Sequence, residues 1–248
     1  MKKPLIRISI GVFALVAAAF VASIFSLGSI VKNRVETVGP RIAQVRVKLD
    51  SANVWLLPGC AQLKGLSIGN PPGCKTETAI KADDISIRMN MMSALSDKVI
   101  IDSIIVKSPE ITIEGGLKNN NLTQIQKNVN AGVSSHADSS PSAAGKPGGK
   151  FQINDLLITG ARLHVASLFS SGASVTIALP DIHLAGLGAG PAGITSPEVA
   201  QKALTALLDS IAANAAGAIG KLGQDAVSTA KKFDFKKAGE KLKGVFDK

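Results

Sequence analysis

The chain repeats its own apolar pattern. Shifting Val99–Glu114 by 52 residues sets Ile101, Ile104, Ile105, Val106, Ile111 and Ile113 over Ile153, Leu156, Leu157, Ile158, Leu163 and Val165 without a gap, with Asp102 over Asn154. A looser copy lies 38 residues upstream, where Leu63, Leu66 and Ile68 take the places of Ile101, Ile104 and Val106. A second pairing, offset by 97, sets Ile80, Asp84, Ile85 and Ile87 over Ile177, Asp181, Ile182 and Leu184. Units that recur in this way do not bury an apolar face alone and must stack on a neighbour. The functional question is what covers that face.

Several strands follow from period-two alternation and turn chemistry. Val45, Val47 and Leu49 alternate with Arg46, Lys48 and Asp50, a strand with one apolar and one wet face. Further strands are expected over 53–57, 61–68, 80–91, 99–107, 110–114, 151–159, 161–166, 174–179 and 181–187. Pro58-Gly59, the Gly69–Gly73 stretch and Ser108-Pro109 mark turns between several of them. Met91–Leu95 suits a short helical turn, and 119–130 a short helix. The Ser-, Gly- and Pro-rich stretch 130–150 is too poor in apolar residues to offset its ordering entropy and reads as a flexible loop. Ser196 as N-cap with Pro197 and Glu198 behind it opens a helix whose Leu204, Leu207, Leu208, Ile211, Ala215, Ile219 and Leu222 share one face.

The two ends differ in character from the body. Of the net charge of +10, residues 1–34 carry +5 and residues 231–248 carry +4. A nucleic-acid binder needs a basic face on its folded domain, with aromatics for stacking; this body is nearly neutral, Tyr is absent and Trp55 is the only Trp. Ile8–Val31 holds no charge, about 36 Å of helix at 1.5 Å per residue, against a bilayer core of about 30 Å. That predicts a transmembrane helix; a cleaved signal peptide with Ala17-Ala18-Ala19 as its processing site is the competing reading. In the tail, Phe235, Leu242 and Phe246 share a stripe ringed by lysines that include Lys236 and Lys237. It suits lipid headgroups or, equally, the solvated end of the preceding helix.

Convergent chemistry is not expected. The three histidines, His136, His164 and His183, are scattered, and no P-loop, G-x-S-x-G, H-E-x-x-H or paired C-x-x-C motif occurs. Asp83-Asp84 reads as a charged strand end rather than a cation site. Cys60 and Cys74 are candidates for a disulfide closing a 15-residue loop, although an intervening strand would hold their ends far apart. No metal, cofactor, catalytic residue, nucleic-acid partner or small-molecule substrate is expected.

Four stretches in order, Leu63–Gly73, IKADDISIRMNMMSAL from Ile80, KVIIDSIIVKSPEITIE from Lys98 and NNNLTQIQ from Asn119, resemble the AsmA-like proteins, relatives of TamB-type envelope proteins. The resemblance spans about residues 30–190. It implies an amino-terminal helix in the inner membrane with its terminus in the cytoplasm, a periplasmic body, and a curled sheet whose apolar channel conveys phospholipid.

The combined expectation is an α+β chain in three parts: an anchor helix over 1–34, a curled, mostly antiparallel repeat sheet over 35–190, and amphipathic helices over 191–248. Its function would be non-enzymatic: phospholipid bound or conveyed along a sheet groove for envelope homeostasis, or else a membrane-anchored scaffold for envelope protein partners. The lipid-facing candidates are Val45, Val47, Ile85, Ile87, Ile104, Val106, Ile111, Ile113, Ile158 and Val175, acting by burial.

Overall fold

The computed structural model describes residues 27–115, 119–137, 150–166 and 175–232. Residues 1–210 form one compact unit and 211–248 a second, whose described part is helical. The sheet and the helical segments packed on it belong to the first.

Helix α1, residues 27–43, leads into ten described strands: β1 (Val47–Lys48), β2 (Ser51–Trp55), β3 (Cys60–Gly69), β4 (Thr78–Met89), β5 (Lys98–Lys107), β6 (Glu110–Glu114), β7 (Lys150–Thr159), β8 (Arg162–Ala166), β9 (Val175–Ala178) and β10 (Ile182–Leu187). A 3₁₀ turn, Met91–Leu95, separates β4 from β5, and α2 (Asn121–Ala137) separates β6 from β7. Helix α3 is Ser196–Lys232.

All ten strands belong to one mixed, open sheet. Its pairings are antiparallel except β5 with β7 and β6 with β8, which run parallel. The parallel pairs explain the sequence repeat. Ile101 pairs with Ile153, Val106 with Ile158, Ile111 with Leu163 and Ile113 with Val165, so the 52-residue shift is the register of the sheet. Only a parallel pair lets a copied segment lie beside its original without reversing direction, and α2 supplies the crossover.

The registers also join the strands end to end. Against β4, β6 continues the register of β5; against β9 and β10, β8 continues that of β7; and β1 and β2 share one register against β3. Six long lines therefore make the sheet, and the pairing of all six breaks at one common level. The interruptions fall at Asp50, Gly65, Asp83, Ser108, Gly160 and Pro180, which face one another across neighbouring lines in the register of the flanking pairs. Gly65, Ser108 and Gly160 have φ of +65°, +47° and +62°, a left-handed conformation that β-strands exclude.

Crossing this line, every strand changes which parity of residue faces the core. The inward pairs are Leu49 and Ala52, Leu63 and Leu66, Ala82 and Ile85, Val106 and Pro109, Ile158 and Ala161, and Leu179 and Ile182, each three residues apart. The two residues between them face outward and are exposed or half-buried. In an unbroken strand inward positions recur every second residue.

The helices lie on the inward face. Val31 and Val35 of α1 pack on Leu49, Ala52, Leu63, Ala82 and Ile85, and Leu122, Ile125 and Val129 bury the helical stripe of α2. Thr195, rather than Ser196, caps α3. Its backbone N–H and hydroxyl both donate to Glu198 Oε2 at 2.7 Å, the glutamate half of a capping box, with Pro197 one position further in than expected.

Two architectural expectations are overturned. The sheet is not curled: it is open and mixed, with β5–β7 and β6–β8 parallel among otherwise antiparallel pairings. Among the described residues, no helix is long and apolar enough to cross a membrane. Of the span expected from Ile8 to Val31, residues 8–26 lie outside the described residues; the remainder begins α1, which packs Val31 on the sheet. The single-pass anchor and the inner-membrane placement with a cytoplasmic amino terminus fall with it. The expected binding or conveyance of phospholipid along an open sheet groove falls too, because α1, α2 and α3 pack on the apolar face of the sheet, and nothing in the described residues supports an envelope scaffold.

Candidate functional site: an apolar cavity on the strand-break line

Between the sheet and its three helices lies a cavity of about 320 Å³. The sheet contributes Val47, Leu66, Ile68, Ile80, Ala82, Ile85, Val106, Pro109, Ile111 and Ile158. Gly39, Ile42 and Ala43 of α1, Ile125 and Val129 of α2, and Ala200, Ala203, Leu204 and Leu207 of α3 complete it. Among the described residues, no polar side chain lines it.

Its position follows from the break line. Leu66, Ala82, Ile85, Val106, Pro109 and Ile158 are all members of the inward pairs that flank the line. Where two consecutive residues turn outward, the inward face has fewer side chains to offer, and the helix residues around the cavity include the small Gly39, Ala43, Ala200 and Ala203. Small residues facing a thinly covered sheet leave space that close packing would otherwise remove.

Of the ten expected lipid-facing residues, Val47, Ile85, Val106, Ile111 and Ile158 line this cavity. Ile87 and Ile104 pack instead on the core cluster beside it, and Val45 and Ile113 are buried outside it. Val175 begins β9, opposite Val165. The tail residues Phe235, Lys236, Lys237, Leu242 and Phe246 lie outside the described residues. Cys60 and Cys74 are free thiols: Cys60 opens the ten-residue β3 and Cys74 follows its far end, roughly 30 Å of strand away.

One end of the cavity is held by a polar clasp that sequence reading did not anticipate. Glu114, only 8% exposed, accepts hydrogen bonds from the backbone N–H groups of Lys75 and Thr76 and from the Thr76 hydroxyl. Burial opposes ionisation of this carboxyl, but those three donors outweigh it and hold its pKa below the usual glutamate value. Burial, then the Glu114 charge, push the neighbouring Cys74 thiol up. Asn121 at the start of α2 accepts from the Glu114 N–H at 2.9 Å and donates to Asn70 Oδ1 at 2.6 Å and to the Thr112 carbonyl at 2.8 Å. The clasp fixes the β3–β4 hairpin, whose Ile68 and Ile80 line the cavity.

A scan of protein-family models and a search of curated proteins both return no match. The chemistry available at the site is therefore what its own residues offer. Among the described residues no group of three or more His, Cys, Asp or Glu is placed to hold a metal ion. His183 Nε2 lies 2.8 Å from Asp155 Oδ1 and His164 Nδ1 lies 2.9 Å from Thr176 Oγ1, both exposed cross-strand pairs away from the cavity. The cavity is partly open and its walls can bury hydrocarbon; among the described residues its lining holds no donor or acceptor side chain to orient a polar group.

Proposed function

We propose that the domain binds an uncharged apolar molecule, or the hydrocarbon part of an amphiphile, in the cavity between its sheet and α1, α2 and α3. The observation that carries this reading is the lining: every described residue of it is Gly, Ala, Pro, Val, Ile or Leu. At about 320 Å³ the cavity stands at the lower end of the 300–1,000 Å³ usual for small-molecule sites. It is about twice the ~150 Å³ apolar cavity that stays dry and takes up benzene.

Selection would rest on size and apolarity. Each methylene transferred from water contributes about 0.8 kcal/mol, whereas an unpaired amide or hydroxyl in such surroundings costs about 2–7 kcal/mol. A charged or hydrogen-bonding head would have to stay outside. The reading assigns no catalytic step and requires no transport. Membership of the AsmA-like proteins is a separate proposal, which rests on the sequence patterns alone.

The test is saturable binding of N-phenyl-1-naphthylamine to the full chain, measured by its fluorescence, against the variants Ala203→Leu and Ala82→Leu. Both place new methyl groups in the cavity from opposite walls. Loss of one saturable site in both variants, with far-UV circular dichroism unchanged, is the expected result. Equal binding by the native chain and both variants would overturn the reading, because the probe would then sit elsewhere.

A further inference from the structure

The sheet ends in an apolar projection that the cavity does not explain. Leu57 in the β2–β3 turn is 98% exposed, Met92 in the neighbouring 3₁₀ turn 87%, and Trp55, at the same end of the sheet, 48%. The two turns are in contact: Met89 N–H donates to the Gly59 carbonyl at 2.8 Å, and a Cβ on Gly59 would stand 3.1 Å from Met91 Cγ. Exposed large apolar side chains gathered at one place mark an interaction surface.

We infer that the Trp55–Leu57 turn and Met92 form a tip that dips into a lipid–water interface. The shape favours this occupant. The side chains stand on two projecting turns at a sheet end, which a fluid phase accommodates without a matching pocket. The chemistry agrees, since Trp places its ring at headgroup level with its N–H still hydrated, and Leu57 and Met92 are more exposed than it is. The near charges are Arg88, paired in register with Cys60 directly behind the tip, Asp97 after the 3₁₀ turn, and Lys98, whose ammonium is bonded to Gln152 and the Gly190 carbonyl. Arg88 suits a lipid phosphate, and Asp97 opposes it.

A further observation comes from the start of α1. A Cβ on Gly28 would lie 2.1 Å from the Ala52 carbonyl oxygen, so the helix begins beside β2 three residues before Trp55. A peripheral contact of this kind needs no spanning helix.

Trp55 is the only Trp of the chain, so its emission reports the tip alone, whatever else in the chain meets lipid. The full chain is mixed with vesicles of phosphatidylethanolamine and phosphatidylglycerol, with and without a lipid brominated high on its acyl chains. The expected result is a blue shift of Trp55 and quenching by the brominated lipid, both reduced several-fold in Leu57→Asp/Met92→Asp with unchanged circular dichroism. Water-like, unquenched emission in the presence of vesicles overturns the inference, as does equal quenching in the double variant. A blue shift that grows with protein concentration without vesicles, and that brominated lipid does not quench, also overturns it and assigns the tip to a second copy of the chain.

Discussion

The strand-break line can be tested by adding one methyl group at three of the glycines along the sheet. Gly186, Gly160 and Gly65 all have left-handed φ, +64°, +62° and +65°, so each Gly→Ala change carries the same backbone cost of about 1 kcal/mol. Their surroundings differ. A Cβ at 186 meets nothing within 4 Å; at 160 it meets the Ser108 hydroxyl at 3.1 Å; at 65 it would lie 2.0 Å from Asp50 Oδ2, 2.4 Å from its Cγ and 2.8 Å from its Cβ. The Ser108 hydroxyl can rotate away, whereas Asp50 must move with its backbone across the break. The expected losses are therefore about 1 kcal/mol for Gly186→Ala, slightly more for Gly160→Ala, and about 3 kcal/mol for Gly65→Ala.

At roughly 2–4 °C per kcal/mol for a domain of this size, Gly65→Ala lowers Tm by about 6–12 °C. Urea unfolding followed by circular dichroism gives the free energies directly. Adding Asp50→Gly to Gly65→Ala separates the two terms: the collision, about 2 kcal/mol, is recovered and the φ cost is not. Three equal losses, or a Gly65→Ala loss under about 0.5 kcal/mol, would refute the alignment of Asp50 over Gly65 and with it the break line.

Three further outcomes follow from the site. Glu114→Gln removes a buried, charge-assisted acceptor and is expected to cost about 1–3 kcal/mol at neutral pH. Because the folded pKa of Glu114 is depressed, the unfolded chain binds more protons as pH falls below about 4.3; the native chain therefore loses this contribution as pH drops through the folded value, and the variant shows a flatter acid limb in urea titrations. Thr195→Ala removes the hydroxyl of the α3 capping box and is expected to lower stability by about 1 kcal/mol, read by the same titration. Ala203→Leu adds three carbons to the cavity, about 2.4 kcal/mol of burial less about 0.5–1 kcal/mol of side-chain ordering; ligand-free protein should gain roughly 1–2 kcal/mol, and added ligand should no longer raise its Tm.

Strand positions were legible because alternation and turn residues are local signals. The expected 61–68, 99–107, 110–114 and 151–159 agree with β3, β5, β6 and β7 to within a residue or two. The 52-residue shift was visible too, but as a repeated module. That it is also a register became apparent only with the parallel pairs, since a copied segment can stack either beside its original or several strands away. The upstream copy shows the difference. Leu63 and Leu66 straddle the break line at Gly65, whereas Ile101 and Ile104 straddle a separate irregularity at Asp102, where the β4–β5 register shifts between Arg88 and Met89. The same i, i+3 spacing thus marks two places in the sheet. Helix α1 was missed for another reason: an uncharged run ending at Val31 and a lysine at 32 carry the hydropathy of a span, and burial of Val31 and Val35 on a sheet is a long-range fact. The clasp at Glu114 was hidden because its partners, Asn70, Lys75, Thr76 and Asn121, are brought together only by the fold.

The break line and the cavity are best understood as one feature. An unbroken six-line sheet would present a regular grid of inward side chains, and three helices could close on it at native packing density. Interrupting all six lines in register removes a row of that grid, and the loss is shared among strands. No single large-to-small change creates it, and a single small-to-large change fills only part of it. The polar members of the line, Asp50, Asp83, Asp84, Lys107 and Asp181, face outward where they are hydrated or paired, as Lys107 is with Asp84 at 3.8 Å and Asp181 with the Gly160 N–H at 3.1 Å. The polar residues needed to interrupt a strand are thereby kept on one face, and the opposite face stays purely apolar. The 97-residue pairing, which sets Asp84 over Asp181 and Ile85 over Ile182, copies this arrangement: in each copy an outward acid precedes the inward isoleucine that resumes the core. A cavity without a polar side chain, on a sheet that carries charged residues at every few positions, is what such a division of the two faces produces.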